Sequence, residues 1–158
     1  AYPSVLAERT GWKVVNAGIS GETSSQIAAR LPGLLDEHQP ALVILCAGGN
    51  DWLQRKSAQA VQADINGMLQ LCKSKAIPVL LVAVPELSLS AALTGRMKDH
   101  AIYKMLAEDK KVPLLADAWS DVLSDSALRA DQVHANAAGY ARFTDLLVAQ
   151  VKASGFLA

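Results

Sequence analysis

The chain has 158 residues, 51% of them apolar, with 15 basic and 15 acidic side chains and a formal net charge of zero. Such a composition describes one packed domain over residues 1–158 rather than a disordered chain, and it has no basic surplus to neutralise phosphates, so no nucleic-acid partner is expected. The longest apolar run, Ile77 to Val84, contains Pro78 and is far shorter than the ~20 residues of a membrane helix, so no integral membrane segment is expected either.

The elements alternate along the chain. Trp12 to Ala17 reads as a strand. Thr23-Ser-Ser-Gln26 is a capping-box pattern, and Ile27, Leu31, Leu34 and Leu35 follow at helical spacing, with Pro32 expected to kink that helix or start a second one. Ala41 to Ala47 is a continuous apolar run, as in a strand buried on both faces. Val61, Ile65, Met68, Leu69 and Cys72 mark the next helix, and Ile77 to Val84 a second buried strand closed by Pro85. Met97, Ala101, Lys104 and Met105 fit a helix of mixed face, and Val112 to Ala116 a short strand. Asn136 then caps a last helix whose inner face is Tyr140, Phe143, Leu147 and Val151. Strand and helix in alternation imply a parallel sheet with helices on both faces.

In such sheets ligands bind beyond the carboxyl ends of the strands. Three segments fall there: Gly18-Ile-Ser-Gly21, Gly48-Gly-Asn-Asp51 and Asp131-Gln-Val-His134. Asp131 and His134 stand three apart in a turn, close enough for the carboxylate to orient the imidazole and leave its Nε2 as a general base. An Asp-x-x-His pair alone is more often a solvated surface turn; its position before a helix at the active edge favours chemistry. The Asn50 amide could donate to a developing oxyanion, although Gly, Asn and Asp are also ordinary turn residues. Gly21, just before a helix start, could offer a backbone N–H to the same oxyanion. Ser20 is disfavoured as a nucleophile because Glu22 stands where a Gly-x-Ser-x-Gly elbow needs glycine. His38, His100 and the stretch Asp109-Lys-Lys111 read as solvated. Cys46 and Cys72 form no metal or redox motif and read as buried free thiols. Neither a Gly-x-Gly-x-x-Gly turn nor a P-loop follows any strand, which disfavours nucleotide binding.

Together these segments resemble the SGNH (GDSL) hydrolase family, in its thioesterase I, lysophospholipase and arylesterase branch. Asn16 to Ser24 is similar to the family's second block, Gly48-Gly-Asn-Asp51 to the third and Asp131-Gln-Val-His134 to the last. Ala29-Arg-Leu-Pro-Gly-Leu-Leu35 also matches the branch. The resemblance implies a flavodoxin-like three-layer α/β/α sandwich and hydrolysis of small acyl, aryl or lysophospholipid esters or thioesters, with no metal and no cofactor. It implies that His134 and Asp131 are triad members and that Gly21 and Asn50 form the oxyanion hole.

Two departures stand out. The family's His-Pro-Asn is His134-Ala135-Asn136 here, and its first block, Gly-Asp-Ser-Leu or similar, does not occur. The nucleophilic serine is therefore expected upstream of Ala1, on a central strand between Trp12–Ala17 and Ala41–Ala47. An empty slot there would strand buried backbone groups. Direct pairing of those two strands would count against such a segment. The chain begins Ala-Tyr-Pro without Met or a signal peptide and is expected to be processed or N-terminally incomplete. Its compartment is left open, with a periplasmic or secreted location suggested by the family. Two alternatives accompany this expectation: a glycan O-deacetylase of the same fold, and a non-catalytic binding domain if the serine is truly missing.

Overall fold

A computed structural model describes residues 14–17, 22–86, 94–131 and 134–155. Within these residues lie four strands and six helices: β1 (Val14–Asn16), α1 (Ser24–His38), β2 (Leu42–Cys46), α2 (Gly49–Leu53), α3 (Ala58–Ser74), β3 (Val79–Val82), α4 (Ala101–Lys110), β4 (Leu114–Leu115), α5 (Ala118–Ser124) and α6 (Ala137–Ala153). The strands form one parallel sheet in the order β1-β2-β3-β4.

The apolar runs behave as expected of strands covered on both faces. Val43 and Leu45 of β2, with Val79 and Leu81 of β3, face a core completed by Ile27, Leu31 and Leu35 of α1, Ile65 and Leu69 of α3, and Tyr103 and Leu106 of α4. Their neighbours Leu42, Ile44, Leu80 and Val82 face a second core with Val122 of α5 and Phe143, Leu147 and Val151 of α6. This is the expected three-layer arrangement. Crossovers that advance one way through a parallel sheet leave their helices on one face. Here α1, α3 and α4 lie on that face, and α5 and α6 cover the other. None of the helices in the described residues is long and apolar enough to cross a membrane.

Local chemistry sets the helix ends. The Thr23 hydroxyl accepts from Gln26 N–H, and Gln26 Oε1 accepts from Thr23 N–H at 2.9 Å, completing the capping box. Pro32 neither ends α1 nor starts a second helix, because the buried stripe Ile27, Leu31 and Leu35 holds the segment together across one missing N–H. The face of α4 differs from expectation: Ile102, Tyr103 and Leu106 turn inward, while Met105 is 54% exposed. Tyr140 is likewise half-exposed, its ring perpendicular to that of Trp119 at 5.6 Å.

The largest correction concerns the sheet. Strands β1 and β2 are not held apart by a slot: Val14, Val15 and Asn16 register directly with Leu42, Val43 and Ile44, and Ala17 N–H donates to Ile44 O at 3.0 Å. The physical reason is the one that made an empty slot untenable. Backbone groups facing a gap in the interior stay unsatisfied, and lateral closure of β1 onto β2 supplies their partners.

Candidate active site

The Asp131–His134 turn is built by local hydrogen bonds. Ala130 N–H donates to His134 O at 2.8 Å, and Arg129 and Ala135 form an antiparallel bridge around it. His134 N–H donates to Asp131 Oδ1 at 2.9 Å, and the same carboxylate lies 3.0 and 2.9 Å from His134 Nδ1 through its two oxygens. A carboxylate only accepts, so the proton of this contact sits on Nδ1 and the Nε2 lone pair is left to act as a base. Both side chains are more than half exposed, at 57% for His134 and 58% for Asp131.

The helix that follows holds the turn in place. Asn136 caps α6 by accepting from Gly139 N–H at 2.9 Å, its Nδ2 donates to Ala127 O at 2.9 Å, and its own N–H donates to Leu128 O at 2.9 Å. A Cβ at Gly139 would stand 2.0 Å from Leu128 O, so only glycine lets α6 approach the loop this closely. These hydrogen bonds of Asn136 anchor a helix start that has alanine where the family has proline.

Gly48-Gly-Asn-Asp51 leaves the carboxyl end of β2 and enters α2. Gly48 has φ 117°, which side-chain-bearing residues rarely adopt, and the place of a Cβ is taken by the Tyr103 hydroxyl, 2.1 Å from it. That hydroxyl donates to Ala47 O at 2.5 Å, and burial pushes the Tyr103 phenol well above its ordinary range. Asn50 is half-buried in the first turn of α2. Its neighbour Asp51 is fully buried and accepts from Ser24 at the start of α1. Its signal is chemical: an unpaired carboxylate seldom goes inside, so an Asp beside a buried strand needs a donor. Gly21 and Ser20 lie outside the described residues.

One packed path runs from the end of β2 to the helix behind His134. Cys46 and Trp119 both pack against the core that holds Phe143, and the Trp119 rings stack on Phe143 with centroids 3.9 Å apart. Burial raises the Cys46 thiol to about 11 and that of Cys72 to about 11, which keeps both protonated and unreactive at neutral pH. Beyond α2 a cavity of about 280 Å³ is lined by Trp52, Arg55, Lys56, Ala58, Glu86 and His100. His100 corrects the expectation of a merely solvated side chain. Its Nδ1 accepts from Ile102 N–H at 3.3 Å, capping α4, and its ring lies parallel to Trp52 at 4.2 Å.

Comparison with known proteins places these features in a family. Thioesterase 1/protease 1/lysophospholipase L1 of Escherichia coli (strain K12) is 37% identical over 141 residues, 86% of this chain and 66% of the relative's length. The crystal structure of TesA superposes with a TM-score of 0.81 at 28% identity, covering 97% of this chain and 88% of the other. The SGNH-hydrolase family esterase AlinE4 does so with a TM-score of 0.65 at 26% identity, covering 97% and 83%. The family model described as GDSL-like Lipase/Acylhydrolase matches residues 1–142. With the fold, the Gly-Asn turn and the Asp–His pair in place, the chain belongs to the GDSL-like lipase/acylhydrolase family.

Proposed function

We propose that the protein is a serine ester and thioester hydrolase of the thioesterase and lysophospholipase type, acting on small acyl, aryl or lysophospholipid esters. The observation that carries this reading is the contact of His134 Nδ1 with both oxygens of Asp131, at 3.0 and 2.9 Å. It is the orienting half of a Ser-His-Asp triad. The names of the E. coli thioesterase/lysophospholipase and of the esterase AlinE4 support the substrate class.

In this mechanism the nucleophile is a serine from the family's first block, on a segment outside these 158 residues. Its hydroxyl attacks the acyl carbon while His134 Nε2 takes the proton. The imidazolium, stabilised by Asp131, returns that proton to the departing alkoxide or thiolate. A water activated by the same nitrogen then releases the acid and restores the serine. Gly21 N–H, Asn50 Nδ2 and the serine's own N–H hold the oxyanion; removing one such donor costs about 100- to 1000-fold in kcat. This chemistry calls on neither metal nor cofactor.

The test is turnover of p-nitrophenyl esters and acyl-CoA thioesters, from acetyl to palmitoyl, by protein expressed from its whole coding sequence. A kcat/KM of about 10⁴ M⁻¹s⁻¹ or more on at least one member is expected, with stoichiometric labelling by an alkyl phosphonate. Saturable binding of the esters without turnover or labelling would contradict the proposal.

A further inference from the structure

Asp51 is fully buried, yet neither the triad nor the oxyanion hole uses it. Its Oδ2 accepts from the Ser24 backbone N–H at 2.7 Å and its Oδ1 from the Ser24 hydroxyl at 3.0 Å. Ser24 is itself fully buried and is the first residue of α1. Its N–H is therefore one of the helix-start donors that have no partner within the helix, and a carboxylate there also suits the helix dipole. Asp64 of α3 approaches the same hydroxyl at 3.0 Å. A hydroxyl carries one proton, so it donates to one carboxylate at a time. The backbone N–H is not shared in this way and keeps Asp51 attached throughout.

The positions of these two residues in the sequence give the contact its meaning. Ser24 follows Gly21 by three residues, and Asp51 directly follows Asn50. Helix α2 has only five residues, and Gly48 at its start supplies no side-chain cap. The clasp from Asp51 to Ser24 ties the Asn50 turn to α1. We propose that Asp51 is a positioning residue that locks the α2 turn, and with it the oxyanion donor Asn50, to the start of α1. This rests on the ester-hydrolase reading and adds to it the group that holds the Asn50 turn in place.

The test is a double-mutant cycle on protein from the whole coding sequence, using one p-nitrophenyl ester well below the melting temperature. Asp51→Asn keeps an acceptor for the Ser24 N–H but turns an amide toward the Ser24 hydroxyl. Its kcat is expected to fall about 10- to 100-fold, with KM for the same ester little changed. In an Asn50→Ala background the same substitution should cost little more, because the donor it positions is already gone. Ser24→Ala, which retains the backbone clasp, should give a smaller loss that is also absorbed by Asn50→Ala; it serves if Asp51→Asn fails to fold. Equal losses in both backgrounds, or a lowered melting temperature with kcat per folded molecule unchanged, would overturn the proposal. Wild-type kcat in Asn50→Ala alone would remove the oxyanion role of Asn50 and this inference with it, while leaving the His134–Asp131 base unaffected.

Discussion

Asp117 starts α5 with φ 63° and a carboxylate that caps nothing, while its backbone N–H donates to Asp99 Oδ2 at 2.7 Å. Desolvation, and then the nearby Asp99 and Asp121 charges, raise its pKa from 3.8. The folded value lies above the unfolded one, so the native state keeps a proton over a window in which the unfolded chain has lost it. Stability therefore falls as pH rises through that window. Asp117→Asn removes the penalty, and asparagine tolerates the left-handed backbone well. The melting temperature of the variant should exceed that of the wild type at neutral pH, with the difference closing as pH falls below the carboxylate range. A gain that stays constant across pH would assign the effect to backbone preference instead. Residues whose partners are close in sequence were legible before the structure: Asp131 and His134 are three apart and share one turn. His100 was not, because its cap is local but its stacking partner Trp52 comes from another element. Asp51 was not, because its burial depends on where α1 begins in space.

The helices divide in the same way. Long stripes in α1, α3 and α6 could be read from periodicity, since each buries apolar residues on one side over fifteen or seventeen positions. Helices α2 and α5, of five and seven residues, are too short to show a stripe, and their starts at Gly48 and Asp117 have no side-chain cap to announce them. Strand ends were overread by one or two residues because an apolar run continues into the buried loop after pairing stops, as at Ala83 and Val84. The helix that matters most to the site is α6, whose first turn is pressed against Leu128. Gly139→Ala puts a methyl group 2.0 Å from Leu128 O and 2.9 Å from Ala135 Cβ. It should cost about 1–3 kcal/mol of stability by overpacking. It should also lower ester turnover, because relief of the clash shifts the turn that carries His134. Denaturant melts and kcat measured together check both. A variant that loses stability with unchanged kcat would show that the turn is insulated from the helix start.

At the scale of the molecule, the three layers and the parallel sheet follow from alternation and from strands apolar on both faces. The sheet order was less legible. The sequence pattern could not decide whether β1 meets β2 or a segment between them, because both are apolar strands able to accept either neighbour. The direct register of Val14 with Leu42 answers that for the described residues. It also withdraws the empty slot as a reason to expect a further strand. The serine of the proposed mechanism then rests on family membership and on the Asp131–His134 geometry. The most direct test compares ester turnover by wild-type protein from the whole coding sequence with that of His134→Ala, both shown to be folded by matching melting curves. The triad mechanism predicts measurable wild-type turnover that falls about 10⁴-fold or more in the variant. Near-wild-type turnover in His134→Ala would contradict it by showing that another base is used. Wild-type protein that binds the ester and never cleaves it would favour a binding domain built on the same cleft.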